Sequence, residues 1–374
     1  MAFILMNKDF KVAELKIIGN DAFISVVYSN IPEYINDVTS WLNSRTPPIG
    51  RRNVLAILKQ AQINSFTEYL SVTKAISLTD TFWVQDTDNP ITWDRISPYR
   101  NRLSRIISNI ALNCEYHGGE LRSPSPDYTV DGSVDKCWKR LKDGIYLFKT
   151  DGEKWSGITG NRPYCEYYAC QVAEQLGVKH NVQYGITVKK TANGCLKPYT
   201  YCRAFTNEKY GYVPIAYTKY TYTPLIELYK LLSSNDRLLF REMLLLDSII
   251  VNFDRHEGNY GFLFDTDSLK LVGMAPIFDN DCGLGPYMSL KSASIAEAYE
   301  ELIKTRQPKT DLGGYIKQAR MSLTQELVSN MKNMYPFHFD RLPKEIDLED
   351  ERIEFMEYIV NNQIKAILGR GCTV

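Results

Sequence analysis

Asp254, Asn259 and Asp279 are the residues whose types and spacing make chemistry available. Asp254 and Asn259 lie five residues apart in Asn252-Phe-Asp-Arg-His-Glu-Gly-Asn-Tyr-Gly-Phe-Leu263, and Asp279 follows twenty residues later in Pro276-Ile-Phe-Asp279. One carboxylate to take up a hydroxyl proton, and a carboxamide and a second carboxylate to hold Mg²⁺, are the parts that phosphoryl transfer requires. The reason is charge: the transferred phosphoryl group spreads negative charge over several oxygens, which divalent ions must bridge while a carboxylate orients the incoming hydroxyl. Hard oxygen donors such as Asn259 and Asp279 suit Mg²⁺, which shares its shell with water and phosphate. Asp254 is then the catalytic carboxylate. His256 either polarises the phosphate or orients the loop through hydrogen bonds. Asp247 interrupts an apolar run seven residues before Asp254; it either buttresses the loop or reaches solvent. The bland alternative, that Asp254 and Asn259 close a turn and Asp279 caps a loop, leaves Arg255-His256 and the downstream Phe-Asp pair unexplained.

A triphosphate must also be gripped from a second element. Lys149 ends the apolar strand pattern Gly144-Ile-Tyr-Leu-Phe-Lys149 and suits the α- and β-phosphates, and Glu166, early in the helical pattern that follows, could pair with it. The alternative is a surface lysine and a first-turn glutamate favoured by the helix dipole. Thr129-Val-Asp-Gly-Ser-Val-Asp-Lys136 holds one glycine and is neither a G-x-G-x-x-G nor a Walker A loop.

The elements that must position these residues follow from hydrophobic period. Strand patterns cover Phe3–Met6, Val12–Ile18 and Ala22–Tyr28, and helical patterns cover Arg52–Ala61 and Ser65–Ala75, an α+β module without a catalytic constellation. Gly- and Pro-punctuated loop chemistry between Tyr116 and Tyr128 marks a boundary. Tyr164 to Leu176 reads as a helix stopped by Gly177, followed by strand-like Val182–Lys189 and Thr200–Phe205. From Ser234 the character turns helical: Leu239, Met243, Leu246 and Ile250 share a face, as do Ile353, Met356, Val360, Ile364 and Ile367 before Gly369. The spacing between Asn259 and Asp279 leaves room for a hairpin. The expected division is a module at 1–115, a β-rich lobe at 116–205 and a helical lobe at 206–374.

Composition bounds the function classes. The 374 residues suggest two or three units at roughly 150 residues each, and 44% apolar with 24% charged residues is ordinary globular usage. Forty-four basic and forty-four acidic residues cancel, so no overall field draws the chain to nucleic acid or an acidic membrane. No apolar run reaches the roughly 18 residues of a membrane span, and the apolar start Met1–Met6 is too short for a signal-peptide core. The reading is a soluble, unprocessed, cytoplasmic chain, with a secreted effector left open. Eight irregularly spaced cysteines without a Cys-x-x-Cys read as reduced thiols, and Cys114-x-x-His117 alone is a weak zinc signal.

These segments together resemble the HipA-like serine/threonine kinases, over about residues 125 to 374. Asn252–Leu263 and Pro276–Asp279 resemble the family's catalytic and metal segments, and Glu166-Tyr-Tyr-Ala-Cys-Gln-Val-Ala-Glu-Gln-Leu-Gly177 resembles its Glu-bearing helix. Thr129–Lys136 is similar to the family's phosphate loop, with Gly132 and Lys136 in register, Ser133 in place of a small residue, and Thr129 at the position of an autophosphorylated serine. Tyr201-Cys-Arg203-Ala-Phe205 sits where the adenine hinge lies. The resemblance implies an α+β, bilobal protein-kinase-like fold of HipA type, with a small β-rich N-lobe, a helical C-lobe and an added N-terminal module. It further implies ATP and Mg²⁺ as cofactors, protein hydroxyls as substrate, and, for some members, a toxin held by an antitoxin-like regulator. It makes Gly132, Ser133, Lys136, Lys149, Glu166, Tyr201, Arg203 and Phe205 the nucleotide-binding set. Two other classes compete: a lipid or small-molecule kinase, because Asp-Arg-His-x-x-Asn also resembles phosphoinositide kinases, and a non-catalytic nucleotide-binding regulator. Neutral charge argues against the lipid, and the presence of every catalytic part argues against the regulator.

Overall fold

The computed structural model describes residues 2–35, 37–48, 51–116, 118–132, 134–151, 160–190, 196–291, 293–310 and 312–369. Its elements begin with β1 (Phe3–Asn7), β2 (Phe10–Ile18), β3 (Asp21–Val27), α1 (Val38–Asn43), α2 (Arg52–Gln60), α3 (Phe66–Thr73), β4 (Phe82–Asp86), α4 (Trp93–Ile96) and α5 (Arg105–Asn113). There follow β5 (Asp135–Arg140), β6 (Ile145–Thr150), α6 (Asn161–Gln175), β7 (Tyr184–Lys190), β8 (Leu196–Arg203) and β9 (Tyr210–Pro214). The rest are α7 (Leu225–Leu231), α8 (Ser234–Ile249), β10 (Gly261–Asp265), β11 (Leu271–Met274), α9 (Ile295–Thr305), α10 (Tyr315–Ser322), α11 (Gln325–Asn333) and α12 (Asp350–Leu368). This is the expected α+β class. Among the described residues no helix is long and apolar enough to cross a membrane.

Two compact units share the chain. The first gathers Met1–Lys149, Cys202–Thr221 and Phe262–Val272; the second gathers Thr150–Tyr201, Tyr222–Gly261 and Gly273–Val374. The first unit therefore joins the expected module at 1–115 to residues 116–149 in one body. It opens on an antiparallel sheet in the order β3-β2-β1-β4. Strand β1 is central, paired with β2 (Leu5 opposite Ala13) and with β4 (Leu5 opposite Val84), so both of its edges are hydrogen-bonded, and side chains on both of its faces are buried. Its sequence is accordingly a continuous apolar run, Phe3-Ile-Leu-Met6, with every side chain buried. Ser65 caps α3 by accepting from the Glu68 N–H at 3.1 Å, and Ser104 caps α5 by accepting from Ile107 at 3.3 Å. A second sheet has the order β11-β10-β9, and the β10–β11 pair is the hairpin for which the Asn259–Asp279 spacing leaves room. It draws close on β9 at Gly211, where a Cβ would lie 2.5 Å from the Phe264 ring.

The second unit is built on helices. Strand and helix starts differ from the sequence reading by up to four residues: β8 begins at Leu196 rather than Thr200, and α6 begins at Asn161 rather than Tyr164, because Gly160 at φ +94° turns the chain into the helix and Pro163 is tolerated in its first turn. Gly177, at φ +81°, ends it as expected. In α8 the C-terminal half is buried on every side, from Leu239 to Ile249 with Arg241 half-buried. Behind the site, Val251, Met288, Ala298, Tyr299, Leu302, Tyr315, Phe355 and Ile359 form one apolar cluster.

Within α8 the burial of Glu242 is poorly compensated. Desolvation, reinforced by Glu326 and only partly offset by Lys179, pushes its carboxyl up to about 7. An unfolded glutamate titrates near 4.3. Between those values the folded chain holds a proton that the unfolded chain has released, so the residue's penalty appears as pH rises through that window. Glu242→Gln is therefore expected to be more stable than wild type at pH 8 by about 1–2 kcal/mol, and equal to it near pH 4.5. Urea titrations at the two pH values check this; an equal offset at both would contradict it.

Candidate active site

The end of α8 sets the site. Ile250 is the last right-handed residue, Val251 turns left-handed at φ +54°, and the Asn252 N–H donates back to the Asp247 carbonyl at 2.8 Å. That is the helix-ending arrangement normally made with glycine. A β-branched residue there costs on the order of 1–2 kcal/mol, a strain that a fully buried Val251 side chain must offset by packing.

Directly beyond the turn, Arg255 organises everything that follows. Its side chain is about 1% exposed. It makes a two-pronged pair with Asp247, Nε to Oδ2 and Nη2 to Oδ1, both 2.9 Å. Its remaining donors reach the Asn259 carbonyl at 3.1 Å, the Phe278 carbonyl at 2.5 Å and the Asn280 Oδ1 at 2.6 Å. Burial opposes the guanidinium charge, but Asp247 outweighs it and holds the group above the ordinary arginine value. One side chain thus ties α8, the 254–259 loop and the 278–280 segment to each other. Of the two readings open for Asp247, the buttress is the one observed: its other contact is the Asn252 Nδ2 donor at 2.8 Å.

The expected site residues take distinct places on this frame. The Asp254 N–H donates to Asn252 Oδ1 at 3.1 Å, and its carboxylate is about one-third exposed. The Asn259 Nδ2 donates to the Asp254 carbonyl at 3.0 Å, which fixes the amide and leaves Oδ1 as the atom able to meet a cation. Asp279 is left-handed, φ +62°, and its N–H is held by the Tyr184 hydroxyl at 3.2 Å. Aspartate is one of the few side chains that tolerates this conformation. His256 Nδ1 accepts from the Gly258 N–H at 3.0 Å, a hydrogen bond within the loop. A carboxamide oxygen and a carboxylate on adjoining segments are a hard-oxygen donor set that fits Mg²⁺.

Sequence reasoning missed several neighbours. Lys309, from the segment after α9, places its Nζ 2.5 Å from Asp254 Oδ1. Arg162, at the start of α6, donates from Nη2 to both oxygens of Asp281 at 2.7 and 2.8 Å. Cys282 lies 3.9 Å from Asp254 Oδ2, and burial pushes its thiol far up. The adjacency of Asp281 to Asp279 was the available signal for one of these; nothing in the spacing signals Lys309.

The remaining candidates divide between the units. In the second, Glu166 is fully buried and accepts from the Thr200 hydroxyl at 3.3 Å, and the Tyr201 ring fills the space over Gly185. In the first, Lys149 is buried. Arg203 covers Gly144, and Phe205 meets Tyr212 edge-on at 5.6 Å. Gly132 sits at φ +91° beneath the Lys136 ammonium, which donates to the Asp131 carbonyl at 2.7 Å. Ser133, His117, Cys195 and Cys372 lie outside the described residues. Thr129 is 3% exposed, and its hydroxyl donates inward to the Ile76 carbonyl at 2.6 Å, so this conformation does not present it for modification.

The 129–136 loop is clamped from the N-terminal segment. Arg51, fully buried, donates to the carbonyls of Asp127 at 3.3 Å, Val130 at 2.8 Å and Lys136 at 2.8 Å, both ends of the loop at once. Arg51→Met removes three side-chain donors to these carbonyls, and losing such bonds from a charged donor costs about 1–3 kcal/mol each. The expected result of a urea titration is an unfolding free energy lowered by several kcal/mol; a loss below about 1 kcal/mol would contradict the clamp.

No family model matches the chain. Over 141 residues, 33% of its length, it is 33% identical to the serine/threonine-protein kinase CtkA of Helicobacter pylori. That alignment covers 40% of the relative, so the chain spans less than half the length of the curated protein it matches. The crystal structure of the proinflammatory kinase CtkA of Helicobacter pylori is similar with a TM-score of 0.44 at 19% identity, over 64% of this chain and 90% of that one.

Proposed function

We propose that this chain is an ATP- and Mg²⁺-dependent serine/threonine protein kinase of HipA-like type. The observation that carries the reading is the Arg255 hub, which holds the segments bearing Asp254, Asn259 and Asp279 in one frame. Similarity to a named serine/threonine kinase supports it. Asp254 receives the proton of the substrate hydroxyl. Asn259 Oδ1 and the Asp279 carboxylate hold Mg²⁺, which when bound neutralises the charge of the phosphates. His256, by accepting from Gly258, keeps the loop closed around Asn259. This reading also assigns the nucleotide to Gly132, Ser133, Lys136, Lys149, Glu166, Tyr201, Arg203 and Phe205. The bilobal arrangement, with lobes at 116–205 and 206–374 after an N-terminal module, belongs to the same proposal.

Incubating the purified protein with γ-labelled ATP, Mg²⁺ and a cell lysate tests it. Label recovered as phosphoserine or phosphothreonine supports the reading. Label found only in lipid or a small molecule assigns a different substrate class, and no transfer at all overturns the kinase reading. Peptide mapping in the same experiment reports whether Thr129 or Ser133 is modified.

A further inference from the structure

The Lys309 ammonium stands 2.5 Å from Oδ1 of Asp254 and about half of the side chain is exposed. An ion pair this open contributes little to stability, typically below about 1 kcal/mol, so the fold gives no strong reason for it. The backbone around it is nonetheless anchored on both sides. Arg306 lays its guanidinium over the Phe253 ring at 5.0 Å, beside the catalytic residue. The Thr310 hydroxyl donates to Gln318 Oε1, and the Gln318 Nε2 donates to the Leu244 carbonyl of α8 at 2.9 Å. A flexible four-carbon stem is thereby mounted on a fixed base with its charge at the one carboxylate oxygen it touches. The other oxygen, Oδ2, meets only the distant Cys282 thiol among the described residues, and is the one open to a substrate hydroxyl.

Resting on the kinase reading above, we propose that Lys309 is a catalytic residue, whose ammonium bridges Asp254 and the phosphoryl group being transferred. In that step the substrate oxygen bonds to the γ-phosphorus while the bond from that phosphorus to the β,γ-bridging oxygen breaks. The hydroxyl proton passes to Asp254, and the bridging electron pair leaves on the β-phosphate of ADP. In that transition state the charge of the transferred group is spread over its three peripheral oxygens, and a cation held beside Asp254 stabilises it. Nothing else within the 254–259 loop supplies this charge: Arg255 is spent on its buried contacts, and His256 Nδ1 is engaged as an acceptor.

Lys309→Met and Lys309→Arg decide the matter, measured against wild type for phosphoryl transfer, ATP affinity and thermal midpoint. Lys309→Met is expected to lower kcat on the order of 10²-fold, with ATP affinity and midpoint unchanged, and Lys309→Arg to recover part of the rate. A kcat equal to wild type overturns the proposal. A raised kcat overturns it too, by making Lys309 a block on Asp254. Wild-type protein that transfers no phosphate removes the kinase reading and this inference with it, an outcome distinct from the other two.

Discussion

Asp279→Ala is expected to lose Mg·ATP binding and phosphoryl transfer together, whereas Asp254→Ala loses transfer and keeps the nucleotide. The difference follows from what each carboxylate touches. Asp279 is set at φ +62° by the Tyr184 hydroxyl and by the Arg255 bond to the preceding carbonyl, and in the proposed role its oxygens face the metal. Losing such a ligand removes several kcal/mol of charge stabilisation, about 10³-fold or more in rate. Asp254 faces the hydroxyl, and removing a positioned acid–base group lowers the rate by about 10²–10⁴-fold without touching the phosphate grip. Calorimetric titration with Mg·ATP and single-turnover transfer separate the two. Near wild-type turnover in either variant would remove that residue from its role, and equal loss of nucleotide binding in both would place Asp254 on the metal as well.

The parts of the site that were legible in the sequence are those whose spacing along the chain does the positioning. Asp254 and Asn259 belong to one loop, so a five-residue interval fixes their relation, and Asp279 follows across a hairpin whose length the interval allows. The strands β1, β2 and β3 were legible for a similar reason, since adjacent antiparallel strands carry their own period. What the sequence hid are relations between distant segments. Lys309 reaches Asp254 from 55 positions away, and Arg51 clamps carbonyls 76 to 85 positions downstream. Backbone carbonyls leave no imprint on residue type, so a clamp of that kind has no sequence signature. The end of α8 was hidden differently: Val251 occupies a left-handed position that glycine usually announces. The apolar face at Leu239, Met243, Leu246 and Ile250 was clear, yet nothing showed where it stopped.

Asp247→Ala is expected to produce the largest loss of stability in the second unit. It leaves the Arg255 guanidinium buried at 1% exposure with its counter-charge gone. Breaking a buried pair by removing one partner costs about 3–5 kcal/mol, a large part of the roughly 5–15 kcal/mol that holds an ordinary domain folded. Arg255→Lys separates this structural role from the geometric one. A lysine keeps a positive charge beside Asp247, but its single ammonium cannot serve Asp247, the carbonyls of Asn259 and Phe278, and Asn280 in the fixed fork that the guanidinium offers. Stability should therefore fall less than in Asp247→Ala, while transfer falls at least about 10²-fold, because displacing catalytic groups by about 1 Å is enough for that loss. Urea unfolding followed by transfer kinetics on the folded variants reads both quantities. If Arg255→Lys kept wild-type turnover, the loop and the metal-bearing segment would be held by something other than this side chain. If Asp247→Ala unfolded within about 0.5 kcal/mol of wild type, the buried pair would have no structural role.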